Sequence, residues 1–290
     1  MKRRGIDKGQ KSGGRARKEE FEPFYGPIHK KNAPCYTFFV DKALKIVHLD
    51  EFLLIIDKTP GLLAIPDRYD PAAPVAQAIL EAEHGKLWVV HRIDKDTSGI
   101  LAYARTEEAH RTLSIQFASR EVEKSYLALV RGEAERDEWE CDSPILADAD
   151  KLHRSFADRR RGKEAFTRFV VVERFSGYTL VRALPETGRT HQIRVHLSAT
   201  GYPIVADPLY GDGEAVKLSE LKRKWKGDPF EEKPLLARTA LHAERIAFVH
   251  PGSGQRASFE TPPPKDMAAT LSQLRKLARP RDLPSVAPSA

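Results

Sequence analysis

The sequence has few of the residues that build disulfide frameworks or metal clusters. Its two cysteines, Cys35 and Cys141, are 106 residues apart, and neither belongs to a CxxC or Cys/His cluster. We therefore expect two ordinary thiols and no zinc site. Glycine-rich phosphate cradles of the GxGxxG or P-loop type are also absent, so nothing here predicts a nucleotide cofactor.

Long apolar runs are missing as well. A membrane-spanning helix needs about 20 predominantly apolar residues, and the longest runs here are short pieces such as residues 52–56. The N-terminus is basic but has no apolar stretch of the kind found in secretion signals. With 41% hydrophobic and 31% charged residues, the composition is typical of globular proteins. We expect a cytoplasmic monomer that does not associate with a membrane.

Beyond the first 18 residues the chain has no net charge. The formal charge of +7 comes from 48 basic and 41 acidic residues. Residues 1–18 contain eight of the basic residues and one acid, which leaves 40 of each in the other 272 residues. We expect residues 1–42 to form a basic, disordered tail with a poorly patterned leading segment. A basic arm on a neutral body indicates a polyanionic partner, although basic tails also serve as solubility devices.

After residue 42 the apolar pattern predicts many short strands and few helices. Strands are expected at residues 46–48, 53–56, 62–65, 87–90, 124–130, 165–174, 178–184 and 241–249. Helices are expected at residues 71–83 after an Asp70-Pro71 cap, after a Thr106 cap, at residues 191–199 after a Thr190 cap, and around residues 267–274.

Strands joined by hairpins, with scattered helices between them, indicate an α+β fold around a largely antiparallel sheet. Strands and helices do not alternate regularly enough for a doubly wound parallel sheet. We assign one domain to residues 43–278 and a loose, proline-rich C-terminus to residues 279–290.

The densest polar cluster is residues 91–99, His-Arg-Ile-Asp-Lys-Asp-Thr-Ser-Gly, between two apolar stretches. Core strands on both sides would present its reactive groups from a rigid support. The alternative is a polar turn in which Asp96, Thr97 and Ser98 hydrogen-bond their own backbone.

A second cluster is residues 187–196, Thr-Gly-Arg-Thr-His-Gln-Ile-Arg-Val-His. On a helix, Arg194 would project beside His191 near the N-terminus, where it could bind phosphate or clamp a carboxylate with two hydrogen bonds. His191 and His196 are five residues apart and do not share a face, which excludes a metal pair of the HExxH type. The alternative is a solvated amphipathic helix.

Together these clusters resemble the RluA branch of the pseudouridine synthases. The HRLDxxTSG segment of that family matches residues 91–99 with only Ile93 for leucine, and its TGRxHQIRxH segment matches residues 187–196 in full. Its KxYxA strand matches residues 124–128, and weaker matches occur at residues 162–167 and 241–243. The resemblance covers about residues 43–264. It implies a pseudouridine-synthase catalytic domain with a largely antiparallel mixed sheet and flanking helices.

Three departures from the family pattern are visible. The proline of residues 58–63, Lys-Thr-Pro-Gly-Leu-Leu, stands one place later than in the family's KPxGLL turn. Ala206 replaces the more usual glycine before Asp207. The accessory N-terminal RNA-binding domain of many relatives is not found, which leaves the basic tail.

The resemblance also implies a role for individual residues. Asp94 would be the catalytic carboxylate, Arg194 would pair with it, and Tyr126 would pack against the target base and could transfer a proton. Whether Asp94 adds covalently or removes a ribose proton stays open. Arg92 would fill the space that the flipped uridine leaves. The further RNA contacts expected are Arg189, His191, Arg160, Arg161, Lys224 and Trp225.

The implied function is isomerisation of specific uridines in ribosomal or transfer RNA, without a cofactor or metal. One rival is a non-catalytic RNA-binding or ribosome-assembly protein of the same fold, which would have no need of Asp94, Tyr126 and Arg194 together. The other rival is a nucleic-acid glycosidase with Asp94 and Asp96 as a carboxylate pair, which would release free uracil.

Overall fold

A computed structural model describes residues 44–66 and 72–278. The expected tail (residues 1–42), the expected C-terminus (residues 279–290), Cys35 and the Asp70-Pro71 cap lie outside these ranges. Cys141 is a free, buried thiol. Within the described residues, no helix is both long and apolar enough to cross a membrane.

Most of the strands belong to one ten-stranded sheet. Its strands are β1 (Leu44–Leu49), β2 (Leu53–Lys58), β3 (Trp88–Val89), β4 (Ser98–Ala104), β5 (Glu123–Arg131), β6 (Glu138–Asp142), β9 (Phe166–Phe175), β10 (Tyr178–Pro185), β11 (Leu241–Val249) and β12 (Arg256–Glu260). The order is β1-β2-β4-β11-β5-β10-β9-β6, with β12 paired to β11 and β3 to β4. Strands β7 (Ile145–Leu146) and β8 (Phe156–Ala157) form a separate pair.

The sheet is antiparallel at each described pairing except that of β4 with β11, which is parallel. In the described part of the chain, five helices flank it: α1 (Ala76–His84), α2 (Glu107–Ala118), α3 (Gln192–Ala199), α4 (Leu218–Leu221) and α5 (Lys265–Leu277). This mixed, largely antiparallel sheet with flanking helices confirms the predicted α+β fold.

Strand β4 is buried along its whole length because both faces of the sheet are covered there. Its side chains alternate between the faces. Leu101 and Tyr103 pack into a cluster with Leu80 of α1, whereas Ile100 and Ala102 pack with Leu113 of α2. A strand so buried is a rigid support for the polar residues that precede it, which supports the predicted placement of cluster 91–99.

The parallel pairing of β4 and β11 requires a glycine at position 99. Gly99 has a φ of +107°, and a Cβ atom there would lie 2.2 Å from the carbonyl oxygen of Ala243. A side chain would therefore clash with the β11 backbone, and glycine also tolerates the left-handed conformation. This contact places the start of β4 against the centre of the sheet.

Two predicted helix starts differ from the structure, and one is confirmed. Thr106 caps α2 by accepting a hydrogen bond from Ala109 N at 3.1 Å. Helix α1 begins at Ala76 instead of residue 71. Thr190 does not cap α3: the helix begins at Gln192, His191 occupies the cap position, and the Thr190 hydroxyl accepts from Arg92 Nη2 at 3.0 Å. A long-range contact has replaced the local cap.

Residues 62–65 do not form the predicted strand. A single bridge links Leu63 to Val75, and the segment is otherwise a turn that leads back toward α1. Leu62 and Ala64 are buried in a core cluster with residues of α1, so burial of alternate side chains with only one backbone bridge produced the strand-like pattern.

Candidate active site

Residues of both polar clusters face one open cleft of about 520 Å³. Its walls are the loop of residues 91–97, the end of α2, strand β5, the loop of residues 185–191 and the first turn of α3. Among the residues that line it are Arg92, Asp94, Tyr126, Arg189, His191 and Arg194. Two segments almost one hundred residues apart are thus brought together by the pairing of β5 with β10 and β11.

The loop that carries Asp94 has no regular structure, and two cations, the buried Lys58 and the partly buried Arg238, hold its backbone. Lys58 Nζ donates to three carbonyl oxygens: Thr59 at 3.0 Å, Leu62 at 2.8 Å and Lys95 at 2.9 Å. Arg238 donates to the carbonyl of Asp96 at 3.2 Å and forms a bidentate pair with Asp266 at the start of α5. The fixed backbone restricts where the Asp94 carboxylate can point.

The Asp94 carboxylate is partly exposed to the cleft and faces two nitrogen atoms. Arg194 Nη1 lies 3.5 Å from Asp94 Oδ2, and His191 Nε2 lies 3.9 Å from the same oxygen. Both partners belong to the start of α3. At these distances the guanidinium attracts the carboxylate without a short hydrogen bond to it. A carboxylate oxygen of Asp94 therefore remains accessible to a ligand in the cleft.

Arg194 is held in place by another carboxylate. Its Nε and Nη2 donate to the two carboxylate oxygens of Asp207, each at 2.7 Å. Burial lowers the pKa of Arg194, but the hydrogen bonds and charge of Asp207, together with Asp94, outweigh it and raise the pKa above its usual value. The Arg194 guanidinium also lies 5.0 Å from the centre of the Tyr210 ring. Asp207 therefore leaves Nη1 as the nitrogen that faces Asp94.

His191 is fixed by a hydrogen-bond chain that determines which of its nitrogens carries the proton. The Tyr210 hydroxyl accepts from Ser155 N at 2.7 Å and lies 2.9 Å from His191 Nδ1. The hydroxyl can donate its own proton to Nδ1, and the carboxylate of Asp94, which can only accept, faces Nε2; we therefore assign the imidazole proton to Nε2. Burial lowers the pKa of His191, against the opposing charge of Asp94. A neutral His191 therefore points an N–H toward Asp94.

The backbone at His191 is strained. Its φ of 57° lies in the left-handed region, which costs a residue with a side chain roughly 1–2 kcal/mol. Strain of this kind is often found at functional sites. Here it lets the chain turn into α3 while the imidazole stays on the cleft side.

Tyr126 stands on β5 at the floor of the cleft. Burial, and then the negative charge of Asp94, raises the pKa of its hydroxyl well above the usual range. The side chain packs against two of the core clusters. Tyr126 is therefore a neutral aromatic surface with a hydroxyl donor near Asp94.

The two arginines at the rim are held by neutral oxygens. Arg92 is exposed and bonds the Thr190 hydroxyl, whereas Arg189 Nε donates to the carbonyl of Glu164 at 2.9 Å. Neither of them forms an ion pair within the described part of the chain, so both keep their charge available to an anion.

Four residues expected to contact RNA do not line the cleft. Arg160 and Arg161 lie in the turn between β8 and β9, where the Arg161 guanidinium pairs with Asp158 at 2.9 Å. Lys224 and Trp225 follow α4 in a loop. Their proposed contacts would be with RNA outside the cleft, and they stay predictions.

One group of three possible metal ligands occurs in the described residues, away from the cleft. His48 Nε2 and His250 Nε2 each lie 2.8 Å from Asp50 Oδ2. His250 Nδ1 accepts the N–H groups of Gly252 and Ser253 at 3.1 and 3.2 Å. The proton of neutral His250 is therefore on Nε2, which donates to Asp50 and has no lone pair for a metal. The group ties the β1–β2 turn to the end of β11.

The sequence alone assigns no role to Asp207, Tyr210 or Lys58. Each acts on the site through another residue: Asp207 on Arg194, Tyr210 on His191, and Lys58 on the loop of Asp94. A signal was present in the family-like residues Asp207 and Tyr210-Gly211, but the sequence does not indicate which side chains they approach.

A family model described as RNA pseudouridylate synthase matches residues 52–199. Ribosomal large subunit pseudouridine synthase D of Nitrosomonas europaea is 39% identical over 242 residues, which cover 81% of this chain and 66% of that protein. Dual-specificity RNA pseudouridine synthase RluA of Pasteurella multocida is 35% identical over 229 residues, which cover 79% of this chain and 97% of that protein.

Two solved human structures share the fold. RNA Pseudouridylate Synthase Domain Containing 1 is 27% identical with a TM-score of 0.60, covering 84% of this chain and 91% of that one. RNA Pseudouridylate Synthase Domain Containing 4 is 22% identical with a TM-score of 0.61, and the match covers 83% of this chain and 95% of that one. The predicted resemblance is thereby confirmed: the chain belongs to the RNA pseudouridylate synthase family and is an RNA pseudouridine synthase.

Proposed function

We propose that this protein isomerises specific uridines of ribosomal or transfer RNA, with Asp94 as its catalytic carboxylate. The observation that carries the proposal is the placement of Asp94 Oδ2, which faces Arg194 Nη1 at 3.5 Å and His191 Nε2 at 3.9 Å inside the cleft. A cation and a neutral N–H donor beside one oxygen attract the charge of the carboxylate and give it a defined direction. Both open roles of Asp94, covalent addition and removal of a ribose proton, need the ionised form.

The reaction balances without a co-reactant. The bond between uracil N1 and ribose C1′ breaks, a bond between C5 and C1′ forms, the proton on C5 leaves, and N1 takes up a proton. The raised pKa of Tyr126 keeps its hydroxyl protonated, so it would support the base by packing and by donating a hydrogen bond. His191, with its proton on Nε2, would hold Asp94 from the other side.

Arg92 is suited to replace the uridine in the RNA stack. It is exposed at the rim and bonded only to the hydroxyl of Thr190 within the described residues, so moving it costs little. A guanidinium can stack on neighbouring bases while it hydrogen-bonds to them. This would offset part of the few kcal/mol needed to unstack the target.

Several relatives are named ribosomal large subunit pseudouridine synthases and one is named dual-specificity. Large-subunit ribosomal RNA is therefore the first substrate to test, followed by transfer RNA, and the cytoplasm is the compartment we propose. Mapping pseudouridines in cellular RNA with and without this protein would identify the site.

Asp94→Asn tests the catalytic assignment, with Asp96→Asn as its matched control. Asp96 is exposed two residues away, and its contact with Arg238 uses the backbone. The measurement is release of tritium from RNA labelled at uracil C5, with binding and unfolding followed in parallel. We expect no release from Asp94→Asn and near-normal release from Asp96→Asn. Turnover by a verified Asp94→Asn preparation would refute the assignment, and free uracil would identify a glycosidase.

A further inference from the structure

The cleft contains a lysine that the catalytic proposal does not use. Lys124 on β5 is half-buried and lines the cleft two residues before Tyr126. Its Nζ donates a single hydrogen bond, to the carbonyl oxygen of Thr187 at 2.9 Å. Within residues 44–66 and 72–278, no carboxylate forms an ion pair with this amine.

Lys124 is one of three cations lining the cleft, with Arg92 and Arg189 at the rim, that form no ion pair within the described residues. Arg194 has Asp207, and Arg120 at the end of α2 has Glu164 at 2.8 Å. Lys58 is also unpaired but uses all three of its N–H groups on carbonyl oxygens. Lys124 lines the cleft and uses one of its three, which leaves two donors without a partner among the described residues.

A charge removed from water without a partner costs free energy. Burial lowers the pKa of Lys124 to about 8, and no negative charge opposes the effect. The amine is still mostly protonated at neutral pH, so the empty protein carries an uncompensated cation in its substrate cleft. A ligand that supplies an anion there would recover that cost.

We propose that Lys124 binds a phosphodiester oxygen of the RNA next to the target uridine. This rests on the proposed function, because it takes the RNA to be the ligand of the cleft. Phosphates are the anions of RNA, whereas uracil and ribose offer neutral acceptors that would leave the charge uncompensated. Alternate residues of a strand share a face, so Lys124 stands beside Tyr126 at a spacing of about 7 Å along β5. A base packed on Tyr126 thus brings its own backbone within reach of the Lys124 side chain.

The Thr187 contact gives the amine a fixed direction. Thr187 is buried, and its hydroxyl donates to Gln192 Oε1 at 2.7 Å and accepts from Phe166 N at 3.1 Å. Lys124 therefore donates a hydrogen bond to the carbonyl of Thr187, which is itself hydrogen-bonded to Gln192 at the start of α3. The phosphate position is built into the same loop that carries Arg189, at the rim of the cleft.

Lys124→Met removes the charge and keeps the apolar stem, and Lys124→Gln also keeps a donor for Thr187. Lys276→Met, on the exposed last turn of α5, is the matched control. The probe is a short RNA that carries the mapped uridine. We expect both Lys124 variants to bind it about 10- to 100-fold more weakly, the range for a lost hydrogen bond to a charged group. The slope of log affinity against log salt should become shallower by about 0.7–0.9, one phosphate contact.

The class of ligand is tested by replacing one RNA phosphate at a time with an uncharged methylphosphonate. At one linkage beside the target, the replacement should weaken binding to the wild type and to Lys276→Met but add little to either Lys124 variant. Full additivity at every linkage, or an unchanged salt slope, would show that Lys124 does not bind phosphate. Turnover by the wild type is measured on the same RNA, and absence of pseudouridine would count against the proposed function. Normal turnover, with additive effects of the Lys124 substitution and the methylphosphonate on binding, would count against this inference alone.

Discussion

Arg194 is bound more closely to Asp207 than to Asp94. Both of its hydrogen bonds to Asp207 are 2.7 Å long, whereas its nearest approach to Asp94 is 3.5 Å. Asp207 is fully buried and also accepts from the backbone N–H groups of Leu209 and Tyr210. Asp207 therefore holds the guanidinium rigidly, whereas the carboxylate of Asp94 stays accessible in the cleft, as the proposed catalytic role requires.

Substitution of Arg194 should affect activity and stability together. We expect Arg194→Lys to keep partial activity, because the charge remains without the two-pronged geometry, and Arg194→Met to lose nearly all activity. The methionine variant also leaves Asp207 buried without a partner, which costs about 3–5 kcal/mol. Turnover per folded molecule and urea unfolding are the measurements. Equal turnover of the two variants would show that charge pairing with Asp94 is not the role of Arg194.

Tyr210→Phe tests the hydrogen-bond chain that orients His191. Loss of the hydroxyl frees His191 Nδ1 and leaves the Ser155 N–H unsatisfied, which should lower stability by about 1–3 kcal/mol. If the Nε2–H must face Asp94, kcat should fall about tenfold, equivalent to about 1.4 kcal/mol. Tyr202→Phe is the control, since its hydroxyl makes only a 3.4 Å contact with Glu135 N outside the cleft. An unchanged kcat for a folded Tyr210→Phe would exclude the proposed orientation.

Ala206→Gly should stabilise the protein. Ala206 has a φ of 54°, which costs a residue with a side chain about 1–2 kcal/mol, while glycine loses about 0.5–1 kcal/mol more conformational entropy than alanine. The balance of these two contributions is a gain of about 0–1.5 kcal/mol, which the loss of the buried Ala206 methyl group partly offsets. Ala269→Gly, on an exposed helical position of α5, should instead lose about 1 kcal/mol. Urea unfolding measures both, and a loss at both positions would contradict the explanation from backbone conformation.

Deletion of residues 1–18 should weaken RNA binding and leave the chemical step intact. The deleted segment holds the whole net charge of the chain. With two or three of its eight cations on phosphates at a time, the salt slope should become shallower by about 1.5–2.5. Salt titrations and single-turnover rates at saturating enzyme are compared for both lengths. An unchanged slope would mean that the segment does not contact RNA, and a collapsed rate would mean that it contributes to the active site.

The sequence alone was sufficient for the class of fold and for the cleft residues of the two long motifs. Strands β5, β9, β10 and β11 were predicted close to their observed bounds, because local alternation of side chains reports directly on a strand. The family-like segments at residues 91–99 and 187–196 led to Asp94 and Arg194, whose spacing within each motif is a local property.

Contacts between distant segments were decided only by the tertiary structure. The sequence around Thr190 predicts a helix cap, but its hydroxyl accepts a hydrogen bond from Arg92, which is 98 residues away. Asp207 shows no pattern that points to Arg194, because a turn separates them and no periodicity joins the two. The basic segments around Arg161 and Lys224 show how charge indicates the sign of a partner but not where it binds. Local sequence specifies backbone conformation and side-chain chemistry, whereas the packing of the sheet decides which side chains meet.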